Sequence, residues 1–244
     1  MTLTVGSLFS GIGGLELGLE RAGMRTVWQV EKDEYCRRVL AKHWPDVQRF
    51  EDVRDVGAHN LPPVDLICGG FPCQDVSDAG KGAGLAGEKS GLWREFARII
   101  RELRPKYALV ENVTALTYRG LGSVLADLAE RGYDAAWDTF PAGIFGAPHI
   151  RQRTFILGVL SDSAANIVHS LATVRTGWTM GQDAHSRGSR AGTWWEAEPA
   201  VGRVDNGLPN GLHRRRGLGN AVVPQVAEFI GRLIVEADAS VEAA

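Results

Sequence analysis

Strand-length apolar stretches alternate with helix-length amphipathic segments through the first 160 residues of the chain. The pattern predicts strands near residues 3–9, 26–31, 64–69, 107–112, 133–139 and 153–159. It predicts helices near residues 13–23, 33–43, 91–104 and 120–131. Such alternation is typical of βαβ units, because each parallel strand needs a crossover before the next. We therefore expect an α/β fold with a doubly wound, mostly parallel sheet.

The alternation disappears between residues 160 and 217, where short pieces rich in Gly, Ser, Thr and Arg replace it. Helical periodicity returns in "NAVVPQVAEFIGRLIVEA", whose apolar spacing predicts a last helix buried against the sheet. We therefore expect one domain made of residues 1–159 and 218–244, interrupted by a small irregular region at 160–217.

Hydropathy and cysteine usage bear on the location of the chain. No apolar run approaches the roughly 18 residues of a membrane span, and the N-terminus lacks a basic segment followed by an apolar one. The three cysteines are an odd number without CxxC spacing, which argues against a disulfide framework and a zinc site. We therefore expect a cytoplasmic protein that needs no metal and contacts no membrane.

The segment "LFSGIGGLELGL" places three glycines directly after the first strand and at the start of a helix. Such a turn lets a ligand approach the backbone, although a tight strand-to-helix turn needs glycine in any case. Glu31, after the second strand, is placed to accept two ribose hydroxyls, and Asp52 is placed to accept an adenine amino group. Either acid alone is also typical of solvated surface. Together these features predict an adenosine pocket.

The segment "GGFPCQDVS" places Cys73 after the next long strand, on the same edge of the sheet. Pro72 fixes its backbone, and the glycines leave room around it. Cys36 and Cys68 fit small buried apolar residues. Cys73 fits that role poorly, and a free thiol with a pKa near about 8.5 becomes a nucleophile beside a positive charge or a helix terminus.

Charged side chains follow on the same edge. "YALVENV" delivers Glu111 and Asn112 to the end of a strand, where burial would raise the pKa of the carboxyl. "APHIRQRTFILG" places Arg151 and Arg153 on one face of an extended segment. These arginines are either a solvated pair or, with the other motifs, a clamp for an anion or a carbonyl.

The order of "LFSGIGG", "GGFPCQDVSDAG", "ENV", "PHIRQR" and "GNAVVPQ" resembles the carbon-5 cytosine-specific DNA methyltransferases of small phage or restriction-modification type. The resemblance covers about residues 5–159 and 217–235. It implies a Rossmann-like, S-adenosylmethionine-dependent methyltransferase fold. It also implies methyl transfer to carbon 5 of cytosine in duplex DNA, with S-adenosylhomocysteine as the product.

In this family the cysteine at position 73 is the nucleophile that adds to carbon 6 of a flipped cytosine. By the same resemblance, Glu111 holds ring nitrogen 3 and the exocyclic amine, Arg153 holds the carbonyl oxygen, and Arg151 supports Glu111 and the thiolate. The residues expected to bind the cofactor are Phe9, Gly11, Ile12, Gly13, Gly14, Glu31, Asp52, Val53, Pro72, Asn220 and Val222.

The resemblance assigns target recognition to residues 160–217, which carry seven arginines against five acidic residues. This local positive charge suits phosphate contacts and guanine readout. The glycine-rich segment 77–91 is either a loop that closes over the substrate or a plain flexible linker. The candidate DNA contacts are Gln74, Ser77, Lys81, Lys89, Arg175, Arg187, Arg190, Arg203, Arg214 and Arg215.

Three positions depart from the family pattern. Ser7 stands where aspartate is usual, and Lys32 stands where an aromatic ring often stacks on the adenine. His149 stands where glutamine is usual. We expect the first two to weaken cofactor affinity and the third to alter the pH response of the site.

Two other functions stay open at this stage, a tRNA cytosine carbon-5 methyltransferase and a DNA-binding regulator without turnover. The expected partner is double-stranded DNA, with a cognate restriction endonuclease as a further candidate. We expect a monomer associated with the nucleoid.

Overall fold

A computed structural model describes residues 2–72, 91–147, 149, 151–160 and 217–242. Within these residues, the strands are β1 Thr4–Leu8, β2 Arg25–Val30, β3 Gln48–Phe50, β4 Leu66–Gly70, β5 Tyr107–Val113, β6 Tyr133–Pro141 and β7 Gln152–Leu160. They form one sheet in the order β3-β2-β1-β4-β5-β7-β6.

The first five strands pair in parallel, whereas β7 runs antiparallel to both β5 and β6. This arrangement confirms the mostly parallel sheet. The sequence did not predict β3, because three residues at a sheet edge show no period. It also did not predict that β7 inserts between β5 and β6, since strand order depends on contacts between distant segments.

The described helices are α1 Gly14–Arg21, α2 Glu34–His43, α3 Gly91–Leu103, α4 Leu116–Arg119, α5 Leu121–Glu130 and α6 Pro224–Glu242. The carboxylate of Asp33 caps α2 by accepting from the backbone N–H of Cys36 at 3.0 Å. Helix α3 ends just before Pro105, as predicted. The short α4 was not predicted. The irregular region at 160–217 lies outside the described residues except at its two ends.

The sheet separates two apolar cores, because alternate residues of each strand face opposite sides. Leu8 of β1 belongs to the core under α3 and α5, where Trp93 and Phe96 are buried. Val5 of β1 belongs to the core under α1 and α6, where Ile230 is buried. The expected burial of the last helix on the sheet is thus confirmed.

Helices α1 and α6 approach closely because α1 carries glycine where they touch. A Cβ atom on Gly18 would lie 2.3 Å from the carbonyl oxygen of Pro224, and one on Gly14 would lie 2.4 Å from that of Val222. No side chain fits at these distances. The close approach brings the segment before α6 beside the turn that follows β1.

Residues 217–240 are long and apolar enough to cross a membrane by length and composition alone. The prediction that no apolar run approaches the length of a membrane span is therefore wrong by these two criteria. Val226, Ala227, Ile230 and Ile234 of α6 are buried in the core between the sheet and α1. Packing inside the domain accounts for these apolar residues.

A carboxyl group is buried in this core. Glu16 of α1 is fully buried, and among the described residues neither of its carboxylate oxygens has a well-directed hydrogen bond. It lies near Ser7, which pairs in register with Gln29 on one side and Cys68 on the other. Burial raises the pKa of Glu16 to about 7, and the backbone at Glu16 together with the hydroxyls of Ser7 and Ser10 lowers this pKa by less than burial raises it.

Replacing Glu16 with glutamine keeps the side-chain shape and removes the titration. A carboxyl whose pKa rises on folding loses its contribution to stability as the pH increases from the unfolded value of 4.5 through about 7. Between about pH 5 and about pH 8, we expect the free energy of unfolding of the natural protein to fall by roughly 2–3 kcal/mol relative to Glu16→Gln. Urea unfolding at both pH values measures this, and the same pH dependence in both proteins would contradict it.

Candidate active site

A cavity of about 970 Å³ opens at the carboxyl ends of β1, β2, β4 and β5. Ligands of open α/β sheets bind at this edge. Each strand end contributes a predicted side chain or a neighbour of one, so the cavity brings the sequence-predicted residues together. Those that line it are Phe9, Gly11, Gly14, Glu31, Lys32, Asp52, Val53, Pro72, Glu111, Asn112, Arg153, Asn220 and Val222.

The turn after β1 has an unusual backbone. Phe9, Gly11 and Gly13 all have positive φ, at 56°, 57° and 88°. A Cβ on Gly11 would meet no atom within 4 Å, so this glycine leaves open space at the cavity. A Cβ on Gly13 would lie 2.4 Å from the ring of Trp44, so its role here is to admit that ring. Neither Gly13 nor Ile12 lines the cavity, although both were predicted to bind the cofactor.

Glu31 ties the end of β2 to this turn. One carboxylate oxygen accepts the backbone N–H of Gly11 at 2.7 Å, and the other accepts that of Asp33 at 2.7 Å. Burial raises the pKa of Glu31. Each carboxylate oxygen has two acceptor sites, so each can still accept one more hydrogen bond from a ligand in the cavity.

Asp52, which follows β3, also lines the cavity, and its carboxylate already has partners within the protein. Its carboxylate accepts the backbone N–H of Arg54 at 3.0 Å and pairs with Nζ of Lys32 at 3.1 Å. Both contacts lower the pKa of Asp52, the backbone N–H most. Lys32, which departs from the family pattern, thus forms an exposed ion pair beside Asp52.

Glu111 is the buried acid of the cavity, with 7% of its surface exposed. Its Oε1 lies 2.9 Å from Nε of Arg153, an ion pair in which the N–H is not aimed at the oxygen. Gly70, its register partner on β4, makes room for the carboxylate, because a Cβ there would lie 2.5 Å from Oε2. Burial raises the pKa of Glu111 to about 7, while Arg153 and Arg151 lower it.

Asn112 positions the segment before Cys73. Its Nδ2 donates to the carbonyl of Phe71 at 3.1 Å, and its Oδ1 accepts the backbone N–H of Val113 at 2.8 Å. The first of these hydrogen bonds is buried, and the second is partly buried. The sequence placed Asn112 at this edge but gave no signal for its partner, which is 41 residues away.

Arg151 does not line the main cavity, so the structure does not bring both arginines into it. Its guanidinium donates to the carbonyl of Gly219. Among the described residues, its buried Nε and Nη2 have no hydrogen-bond partner. Arg151 therefore joins β7 to the segment that carries Asn220 and Val222 into the cavity.

Several predicted residues lie outside the described part of the chain. Cys73 is one of them, although Pro72 before it lines the cavity. His149 is exposed. The candidate DNA contacts outside the described residues are Gln74, Ser77, Lys81, Lys89, Arg175, Arg187, Arg190, Arg203, Arg214 and Arg215.

Other residues line the cavity that no sequence pattern had selected. Tyr35 and Cys36 come from the first turn of α2, and Leu92 comes from α3. Cys36 and Cys68 are buried free thiols, as predicted. Among the described residues, no group of three or more His, Cys, Asp or Glu side chains is placed to hold a metal ion.

Residues 3–185 match the family model described as C-5 cytosine-specific DNA methylase. The Type II methyltransferase M2.BsuMI of Bacillus subtilis is 36% identical over 176 residues, covering 69% of this chain and 45% of that protein. The Type II methyltransferase M.NgoFVII of Neisseria gonorrhoeae is 34% identical, covering 67% and 45%. The chain thus spans about half the length of the curated relatives that it matches.

Solved structures show the same fold. A DNA modification methyltransferase encoded within an Escherichia coli prophage is 32% identical with a TM-score of 0.57, covering 66% of this chain and 47% of that one. The Dnmt2 methyltransferase of Schizosaccharomyces pombe has a TM-score of 0.54 at 19% identity, covering 65% and 49%, which is a likeness of fold alone. The expected Rossmann-like methyltransferase fold is confirmed.

The ion pair between Arg153 and Glu111 predicts a titration shift. Arg153→Met removes a positive charge beside a buried carboxyl, so we expect the pKa of Glu111 to rise further above its present value of about 7. Carboxyl NMR of protein labelled at glutamate side chains measures this. Arg131→Met is the matched control, because Arg131 pairs with Asp127 instead. An unchanged Glu111 titration in Arg153→Met would contradict the electrostatic coupling.

Proposed function

Because the chain belongs to the C-5 cytosine-specific DNA methylase family, we propose that it transfers a methyl group from S-adenosylmethionine to carbon 5 of cytosine in duplex DNA. The observation that carries the proposal is the pairing of Glu111 with Arg153 inside the cavity that the turn after β1 also lines. The same cavity would then hold the edge of a pyrimidine ring at Glu111 and Arg153, and a nucleoside at the residues around the turn after β1.

The chemistry of the cavity residues fits S-adenosylmethionine. Glu31 keeps acceptor capacity for two ribose hydroxyls, and Gly11 leaves open space for close approach to the backbone. Phe9 and Val53 supply apolar surface for the adenine, with Asp52 near its amino group. When bound, the cofactor supplies an electrophilic methyl group on a positively charged sulfur. Asn220 and Val222 would close the pocket from the segment before α6.

Cytosine carbon 5 is a weak nucleophile, so the proposed mechanism begins with the thiolate of Cys73 adding to carbon 6. As the new carbon–sulfur bond forms, the electron pair of the 5,6 double bond moves into the ring. Glu111 would then donate its proton to nitrogen 3. A pKa of about 7 supports this role, because a large fraction of the carboxyl is protonated near neutral pH. Arg153 would hold the carbonyl oxygen. Carbon 5 of the ring would then take the methyl group as the bond between that methyl group and the donor sulfur breaks. A base would remove the carbon-5 proton, the thiolate would leave as the 5,6 double bond re-forms, and nitrogen 3 would return its proton to Glu111.

The role proposed for Arg151 is indirect. It lies close enough to lower the pKa of Glu111, which supports a contribution to the charge balance of the site. Its bond to Gly219 also ties the cofactor side of the cavity to β7.

Access to the base requires flipping the cytosine out of the duplex. We propose that residues 1–159 and 218–244 form the catalytic domain and that residues 160–217 recognise the target. DNA near the catalytic cysteine would be contacted by Gln74, Ser77, Lys81 and Lys89. The arginines of the target-recognition region would contact phosphates and guanines.

We further propose that the protein acts as a monomer in the cytoplasm, at the nucleoid, with a Type II restriction endonuclease as candidate partner.

Substrate choice is tested by direct assay. With S-adenosylmethionine present, we expect bisulfite sequencing of randomised duplex DNA to find methylation at one short sequence context, and we expect tRNA to remain unmodified. The covalent step needs a cytosine that the target-recognition region presents. Methylation of tRNA with none on DNA would support the alternative substrate, and methylation of neither would support a regulator.

The nucleophile is tested by substitution. We expect Cys73→Ser to reduce methylation by roughly 10³-fold or more and to abolish covalent trapping on DNA containing 5-fluorocytosine. Affinity for S-adenosylhomocysteine by calorimetry should change little. Cys68→Ser is the matched control, because this thiol lies buried in the core beside β1. Full activity of Cys73→Ser would refute the assignment.

A further inference from the structure

We propose that Arg98 of α3 is a positioning residue for the adenosine end of the cavity. It does not line the cavity itself. It holds the segment Val53–Val56, which begins at a lining residue and directly follows Asp52. The inference rests on the proposed function, since it concerns the binding of the methyl donor.

Arg98 reaches this segment with one nitrogen. Its Nη2 donates to the carbonyl of Val53 at 3.0 Å and to the carbonyl of Val56 at 2.9 Å. The first carbonyl belongs to the first residue of the 3₁₀ turn Val53–Asp55, and the second belongs to the residue directly after that turn. A planar guanidinium that bonds both carbonyls fixes their separation and direction. These are charge-assisted bonds, which are stronger than bonds between neutral groups.

The guanidinium is itself held by two carboxylates of its own helix. Nε donates to Glu95 at 2.7 Å, and Nη1 donates to Glu102 at 3.0 Å. Glu95 lies one turn before Arg98 and Glu102 one turn after it, which is the spacing at which helix side chains meet. Every nitrogen of the guanidinium therefore donates, and α3 presents it in one orientation.

Glu102 adds a second attachment to the same loop. Its Oε2 accepts the backbone N–H of Ala58 at 3.2 Å. Gly57 makes this approach possible, because a Cβ there would lie 2.4 Å from Oε2 of Glu102 and 3.1 Å from Nη1 of Arg98. The glycine is thus part of the clamp, and its position gives an independent way to disturb it.

The clamp acts on the cavity through the 3₁₀ turn. Asp52 caps this turn by accepting the N–H of Arg54, and the turn starts at Val53. When the carbonyls of Val53 and Val56 are fixed, the carboxylate of Asp52 and the backbone of Val53 are fixed with them. Loss of the clamp would let the adenosine end widen, while Glu111 and Arg153 at the other end keep their positions.

The test compares Arg98→Met with Arg94→Met, an exposed arginine on the same helix. We expect Arg98→Met to weaken binding of S-adenosylhomocysteine by roughly tenfold, the effect of losing hydrogen bonds to a charged group. The loss should be similar for 5′-methylthioadenosine, which keeps the adenosine and lacks the amino acid portion of the donor. The KM for the methyl donor should rise while kcat at saturation stays within about twofold. Arg98→Lys should recover part of the affinity.

Gly57→Ala tests the clamp without removing a charge, with Gly122→Ala as control, because a Cβ on Gly122 meets open space. We expect Gly57→Ala to bind S-adenosylhomocysteine more weakly than the natural protein and Gly122→Ala to bind it with unchanged affinity. If Arg98→Met fails to fold, Arg98→Lys decides, because an ammonium group lacks the planar array of donors that the guanidinium uses on both carbonyls and both carboxylates. Equal affinity in Arg98→Met and Arg94→Met, or in Arg98→Lys and the natural protein, would overturn the clamp. Absence of binding by the natural protein would overturn the proposed function instead.

Discussion

The parallel pairing of β1, β4 and β5 is the constraint from which the site follows. Parallel strands end at the same edge of the sheet, so a turn after β1 and a carboxylate at the end of β5 become neighbours although about 100 residues separate them. The register places Gly70 directly beside Glu111, and the missing side chain gives the carboxylate its space. Backbone hydrogen bonds thereby decide which side chains share the cavity.

Burial then determines how the acids of this protein behave. Glu16 and Glu111 are both removed from water, and the pKa of each rises to about 7 for that reason. The raised pKa has a different consequence at each position, because Glu111 lines the cavity and Glu16 does not. Glu111 faces a cavity beside Arg153, where a proton that exchanges near neutral pH is chemically useful. Glu16 lies in the core near Ser7 and Ser10, where its raised pKa makes the stability of the fold depend on pH.

The cavity walls are held from outside. Asn112 holds the carbonyl of Phe71 on one side, and Arg98 holds the carbonyls of Val53 and Val56 on another. Arg151 holds the segment before α6 through Gly219. In each case a side-chain donor bonds a backbone carbonyl in a segment that connects the main strands and helices. Irregular segments gain a defined position in this way, which a binding site on loops requires.

The sequence by itself determined the alternation of strands and helices, the glycine turn, and the motifs that place Glu31, Glu111 and Arg153 at one edge, because these depend on local periodicity and on the parallel topology that it implies. Only the tertiary structure decided the partners. The pairing of Asp52 with Lys32, the turning of Arg151 towards Gly219, and the insertion of β7 between β5 and β6 all join segments far apart in the chain. No periodicity records such contacts, since they arise when the elements pack.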